Sequence, residues 1–538
     1  LKKFIYAALG WAVILAGLQA SDGLQAGSSG ETGKWRIVNY WSEWCAPCRD
    51  EIPILNELND QLALAGADVT IVGVNFEDNP REETLEIARR MGISFPTLTR
   101  DAVRQMQLKA PAVLPTTYIL SPDDRVVARL AGAQSRESLL AQLAELELVE
   151  PPAARITLID TPAGGNSSLS RVVTDSQDRL YLSWVEQQGE TSVLSYARLE
   201  QGLWQAPQVI ARGEGWYVNW ADFPSLVVNE DSMAAHWLRK SAAGPYDYDV
   251  RASFYQPDLR QWGEPFTVHR DGVSAEHGFV SMVPMSDGRT FMSWLDGRNT
   301  RANSAESGAA GGHEAHQTGG AMTVRAAIFD RHGERLEVWE LDRRVCDCCQ
   351  TSAALAASGP VVVYRDRSDE EIRDTYITRL IDGRWSEPMA VHPDGWKIAG
   401  CPVNGPAVAA RDQFVAVAWF TAVNDIPEVK LALSHDSGAT FSAPIIVASE
   451  NTLGRIGSSL LASGDIAVSW IDAEGDSARV MLARYSAAGE LLERVEVAQT
   501  DASRRSGFPV IRSAGNDVYV TWTDISGESQ VRLARVRF

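Results

Sequence analysis

The chain has 538 residues, 45% of them hydrophobic and 22% charged, with a formal net charge of −20. Such a length exceeds one core, so two or three domains of ordinary globular composition are expected. The acidity excludes nucleic acid and an anionic lipid surface as partners, because both require clustered cations.

Lys2 and Lys3 precede an apolar run over residues 4–18. That run is short for a membrane span and suits the apolar part of a secretory signal. Residues 1–20 therefore read as a signal peptide or an N-terminal membrane anchor. Leu18 falls where a small residue is wanted if cleavage follows Ala20, which keeps the anchor open. In either case the rest of the chain is expected to be exported to the periplasm, free or anchored to the inner membrane. Residues 21–32, rich in Gly and Ser, read as a flexible linker.

Residues 33–150 alternate strand and helix patterns. Residues 35–41 form an apolar strand, 48–64 a helix, 69–75 a strand and 81–91 a helix. Residues 116–120 and 125–130 make a hairpin, and 135–146 a closing helix. This predicts an α/β domain around a mixed sheet, ending at Pro151-Pro152. Cys45-Ala46-Pro47-Cys48 follows the first strand directly and opens the first helix. A helix N-terminus stabilises a thiolate through its amides and dipole, so Cys45 is the candidate exposed nucleophile. Cys48, one turn on, is placed to resolve a mixed disulfide.

The stretch Val38-Asn39-Tyr40-Trp41-Ser42-Glu43-Trp44-Cys45-Ala46-Pro47-Cys48-Arg49-Asp50-Glu51-Ile52-Pro53 resembles the TlpA/ResA/CcmG branch of the thioredoxin superfamily. Val72-Gly73-Val74-Asn75 resembles that family's central strand, and Gly92-Ile93-Ser94-Phe95-Pro96 its turn. Leu114-Pro115-Thr116-Thr117-Tyr118-Ile119-Leu120 resembles its cis-proline loop and following strand. The resemblance, over residues 31 to 148, implies a redox-active disulfide between Cys45 and Cys48 and a cis Pro115 beside it. It also implies a periplasmic reductant of protein disulfides, with a membrane-borne electron donor and no required cofactor. Glu51 falls where the branch often carries a thiol-tuning carboxylate; as a first-turn helix residue it reads equally well as a solvated side chain. Asn39 stands where thioredoxin has a buried Asp, and Trp44 is expected to pack beside the disulfide and shield it. No peroxidase or haem-attachment motif surrounds the cysteines.

Residues 153–538 lose the helical period. Alternating strands ending near Trp recur at 180–184, 233–237, 290–294, 414–419, 466–470 and 518–522, and 361–364 ends in Tyr instead. Most intervals are roughly 50 to 57 residues, the period of propeller blades. Gly202-Leu203-Trp204-Gln205-Ala206-Pro207, Trp262-Gly263-Glu264-Pro265 and Gly383-Arg384-Trp385-Ser386-Glu387-Pro388 repeat a second signature, and a Gly-rich insertion spans about 299–320. Ser434-His435-Asp436-Ser437-Gly438-Ala439-Thr440-Phe441 resembles the Asp-box of sialidase-like (BNR) propellers, whose Asp fixes a turn. The expected fold is a multidomain chain: an α/β thioredoxin-like domain followed by an all-β propeller. Seven units are read, and six blades are possible because sialidases close with six. The seventh unit stops after three strands, and residues 155–160 are expected to supply its fourth.

Cys346, Cys348, Cys349 and Cys401 end neighbouring units and are expected to meet on one face. They read as two structural disulfides, as a soft Cu or Zn site with His392, or as a redox target of Cys45. His313-Glu314-Ala315-His316 lacks zincin spacing and reads as a loop. Three functions follow: a thiol-disulfide oxidoreductase whose propeller holds a partner; a propeller-centred binding or metal-handling scaffold kept reduced by the thioredoxin-like domain; and a sialidase-like glycosidase, for which the sequence assembles no site.

Overall fold

The computed structural model describes residues 33–538 except 78, 107, 147, 149–153, 230–231, 302–319 and 476. The expected signal or anchor, the linker and most of the Gly-rich insertion, with His313 and His316, lie outside the described residues. Among those described, no helix is long and apolar enough to cross a membrane. The chain divides into two compact units, Leu1–Ala153 and Ala154–Phe538.

In the first unit, β1 (Trp35–Trp41), α1 (Ala46–Leu64), β2 (Val69–Asn75), α2 (Arg81–Arg90), α3 (Arg100–Gln105), β3 (Thr116–Leu120), β4 (Val126–Ala131) and α4 (Arg136–Glu145) follow one another. The sheet order is β2-β1-β3-β4, with β1 parallel to β2 and antiparallel to β3. The segment 72–75, which resembles a central strand, lies in β2, flanked by β1 on one side and bridged at Gly73 to the segment around Thr97 on the other. Period-2 alternation splits β1 between two cores. Ile37 and Trp41 join Ile52, Leu55 and Leu58 of α1 and Leu139 and Leu143 of α4 on one face. Val38 and Tyr40 join Tyr118, Ala102 and Met106 on the other. Helix α3 has no counterpart in the sequence reading; its one signal is the Thr99 cap, whose side chain accepts from the Ala102 amide. Gly73 is required by packing: a Cβ there would lie 2.6 Å from Trp41 Nε1 and 3.1 Å from Phe95.

Among the described residues, the second unit is a large all-β region of seven antiparallel sheets. Six are built from consecutive strands, and the seventh takes its fourth strand from β5 (Arg155–Ile159), which pairs with Gln530–Arg537 as the sequence suggests. The recurrent Trp strands are the second strands of their sheets, where Trp184, Trp294, Trp419 and Trp470 are fully buried and Tyr364 fills the same place. At 434–441, Asp436 accepts from the Thr440 amide (2.9 Å) and hydroxyl (2.6 Å), and the Gly438 amide donates to Ser434 Oγ (2.8 Å). These bonds close the turn locally; burial pushes the Asp436 carboxyl up, but the hydrogen bonds from Thr440, Ser434 and the Ala439 amide together outweigh it and hold it down at about 2.

Candidate functional site

Strand β1 ends at Trp41 and α1 begins at Ala46, with Cys45 as its N-cap. The Cys48 amide donates to Cys45 Sγ at 3.2 Å, so the first sulfur occupies the anion-favouring end of the helix. Cys45 and Cys48 form a disulfide. Contrary to the expectation of an exposed nucleophile, both are buried, with Cys45 only 3% accessible. They join the cluster of Trp41, Ile52 and Phe95, and Leu114 packs against the same cluster. Trp44 also departs from expectation: it is 63% exposed, and its indole N–H donates to Glu77 Oε1 at 2.7 Å. Pro115 follows a cis peptide bond, as the resemblance implied.

Glu51, one turn beyond Cys48 on the buried face of α1, is 1% accessible, which removes the solvated alternative. Asn39 Nδ2 donates to Glu51 Oε2 (3.0 Å) and to Thr117 Oγ1 (3.0 Å), and the Gln134 amide donates to Glu51 Oε1 (2.9 Å). Burial pushes the Glu51 carboxyl above its ordinary value, and the Gln134 and Asn39 hydrogen bonds oppose it only in part. A proton-binding carboxyl thus sits in the floor behind the cysteine pair.

The second cysteine group lies between sheets. Cys346, Cys348 and Cys349 precede the fourth sheet, and Cys401 precedes the fifth. The two segments meet as expected, since Cys401 interacts with Cys348. Of the three alternatives the sequence left open, they do not form structural disulfides: all four are free thiols, with Cys346 Sγ 3.5 Å from Cys349 Sγ and 3.9 Å from Cys348 Sγ. Those spacings exceed a bonded S–S distance of about 2.05 Å. His392, considered as a further ligand, faces Asp394 and the Trp419 ring instead. Arg373 Nη1 donates to Cys346 Sγ at 3.2 Å. Burial pushes the Cys346 thiol up, but hydrogen bonds from Cys348 and Cys349 and the Arg373 cation outweigh it and hold it well down.

Cys348 and Cys401 line a cavity of about 580 Å³ together with Tyr248, Glu276, Arg367 and Arg373. Tyr248 Oη lies 2.9 Å from Asp222 Oδ2 and 3.0 Å from Glu276 Oε1. Burial raises Asp222 to about 7 and Glu276 to about 8. Arg367 pairs with Asp347 (3.0 Å) and Glu371 (2.7 Å), and Arg373 with Glu371 (2.8 Å). Sequence reasoning missed this carboxylate-tyrosine group, whose members come from separate segments with no shared motif.

Residues 17–129 match the AhpC/TSA family model. The chain is 26% identical over 115 residues to the thiol-disulfide oxidoreductase ResA of Geobacillus thermodenitrificans, covering 21% of this chain and 64% of that protein. It is 30% identical over 112 residues to the thiol:disulfide interchange protein HelX of Rhodobacter capsulatus, covering 21% of this chain and 60% of that protein. The chain therefore spans less than two thirds of these relatives. A crystal structure of a protein of unknown function from Dyadobacter fermentans aligns over 72% of this chain and 100% of its own, with 12% identity and a TM-score of 0.43. The first unit is a thioredoxin-like domain similar to those of thiol-disulfide oxidoreductases.

Proposed function

We propose that the protein is an exported thiol-disulfide oxidoreductase that reduces protein disulfides through Cys45 and Cys48. The observation that carries this reading is Cys45 at the N-cap of α1, its sulfur taking the Cys48 amide, with Glu51 and Asn39 buried behind. In the reduced chain the Cys45 thiolate attacks one sulfur of a substrate disulfide, and the other sulfur leaves as a thiolate. The Cys48 thiol then loses its proton, attacks Cys45 Sγ and releases the reduced substrate, leaving the Cys45–Cys48 disulfide. Glu51 is the positioning group for that proton. A membrane-borne donor returns the two electrons. The similarity to ResA and HelX supports this chemistry, and Lys2-Lys3 before the apolar run of 4–18 supports export.

The second unit is read as a seven-bladed β-propeller that holds a partner. Two features support this: successive first strands pack together, the seventh against the first, and a cavity of about 210 Å³ is lined by the first strand of every sheet. A Cys48→Ser variant in an exporting host tests the function. Mixed disulfides of Cys45 with another protein are expected on non-reducing gels; only small thiols on Cys45, with no reduction of insulin by the unaltered protein, would overturn it.

One observation favours a second reading, glycoside hydrolysis in the 580 Å³ cavity: the contact of Tyr248 with Glu276. Against it, Arg367 and Arg373 are committed to carboxylates of the protein itself. Turnover of a fluorogenic sialoside that Tyr248→Phe abolishes would establish it, and no turnover sets it aside.

A further inference from the structure

Four thiols converge where two loops of the second unit meet, and the loops are braced around them. The Cys346 amide donates to Arg365 O at 3.0 Å. Arg365 is itself buried and donates to the carbonyls of Asn404, Arg373 and Phe420. Gln350, next to Cys349, donates to Ala221 O and accepts from the Gly405 amide at 2.9 Å. A Cβ at Gly405 would lie 2.1 Å from Gln350 O, so the two backbones touch with no room for a side chain. The sulfurs are thus held by fixed backbone in advance of any ligand, which lowers the ordering cost of binding one.

Their spacing matches a shared ion. Sulfurs bound at about 2.3 Å to one metal sit about 3.8 Å apart in a tetrahedral set and about 4.0 Å apart in a trigonal one. Cys346 Sγ lies 3.5 and 3.9 Å from its two neighbours, and all three sulfurs fall within 4.8 Å of one another. The group of three is all sulfur, a donor set that selects soft d10 ions over hard ones. Three thiolates suffice for Cu(I), whereas Zn(II) requires a fourth ligand. Three thiolates on Cu(I) leave two negative charges, and the Arg373 guanidinium, shared between Cys346 Sγ and Glu371, lies directly against them.

We propose that Cys346, Cys348 and Cys349 bind one Cu(I) ion, with Cys401 reaching it from the cavity as the exchangeable fourth sulfur. Cys346 and Cys349 are buried beneath, while Cys348 and Cys401 line the 580 Å³ cavity, so the ion is accessible from one side. That is the arrangement of a site that loads and unloads, in contrast to a closed structural centre. Binding converts thiols to thiolates and releases their protons to solvent. The site stands independently of the exchange reaction at Cys45.

The test uses the full chain carrying Cys45→Ser and Cys48→Ser, so that no other dithiol competes. Reduced anaerobically and titrated with the Cu(I) complex of bicinchoninate, it is expected to withdraw one equivalent of Cu(I), and X-ray absorption should show sulfur-only coordination. Cys346→Ser and Cys349→Ser should each weaken binding by at least about 100-fold, and Cys401→Ser by about tenfold, speeding release. No withdrawal of Cu(I) by a folded chain with four titratable thiols would overturn the proposal. So would tight one-to-one Zn(II) binding that Cu(I) does not displace, or thiols that appear only after reduction of a disulfide in the native chain. Should a serine variant misfold, the stoichiometry and absorption spectrum of the parent decide alone.

Discussion

Asn39 in β1 and Glu51 in α1 meet through a 3.0 Å hydrogen bond in the buried floor behind Cys48, linking the strand that leads into the cysteine pair with the helix that leaves it. The Glu51 carboxyl is held above its ordinary value by burial, so it exchanges a proton closer to neutral pH than a surface Glu does. Its negative charge, once formed, disfavours a second anion one turn away.

Replacing Glu51 by Gln should therefore move the rise of the exchange rate with pH towards lower pH, because a like charge behind the resolving thiol is gone. Stopped-flow reduction of a peptide disulfide from about pH 5 to 9 reads the shift. Superimposable profiles for the two proteins would limit Glu51 to packing.

Glu276 gives the second unit a pH-dependent stability. Its folded pKa of about 8 stands above the ordinary 4.5, chiefly through burial, so the folded state holds the proton more tightly. Stability from this group is complete below pH 4.5 and declines as pH rises through 8. Glu276→Gln should match the parent near pH 4 and exceed it by a few kcal/mol, on the order of 2 to 5, by about pH 8.5. Denaturant titrations at stepped pH check this; a gap independent of pH would refute it.

The stacked rings of His269 and His277, 3.6 Å apart, share Asp271, which accepts from the two at 3.0 and 2.9 Å and also pairs with Arg298 at 3.1 Å. Burial pulls His269 down, but Asp249 and Asp271 outweigh it and raise its pKa above 6.5. Its contribution is complete below that pH and is lost as pH rises through the folded value. Asp271 is shifted the opposite way, against its own burial, so its contribution is complete above 3.8 and is lost in strong acid. Asp271→Asn should cost about 3 to 5 kcal/mol near pH 6, and less above neutrality. Unfolding midpoints that drop equally at pH 6 and pH 9 would contradict this.

Two glycines in neighbouring positions should behave differently. Gly405→Ala drives a Cβ to 2.1 Å from Gln350 O and should destabilise the second unit by more than about 3 kcal/mol. At Gly400 the nearest atom to a new Cβ is 3.8 Å away, on Ile398, so Gly400→Ala should stay within about 0.5 kcal/mol of the parent. Equal melting temperatures for both variants would remove the contact between the cysteine loops from the account.

The sequence carried what local pattern can carry. The apolar runs 35–41 and 69–75 and the Trp-ending strands located buried strands of both units, because a strand covered on both faces reads as a nearly continuous apolar run. The Cys45–Cys48 disulfide was legible because its two cysteines are close neighbours in sequence. The burial of Cys45 and the outward turn of Trp44 were not, since Phe95, which shares the cluster with Cys45, and Glu77, which holds the Trp44 indole, arrive from distant segments. The group of Asp222, Tyr248 and Glu276 was illegible for the same reason: it exists only where the segments leading into the second and third sheets of the second unit meet the strand that Tyr248 begins.

The pairing of β5 with Gln530–Arg537 bears on the order of synthesis. Residues 155–159 leave the ribosome before any other strand of the second unit, yet their partner is made after every other described strand of it. The first unit has every strand of its sheet once residue 131 is made, whereas the seventh sheet must wait for residue 537. During that interval the β5 edge stays unpaired, so a pause or a premature stop ahead of residue 530 leaves an open strand able to pair with another chain.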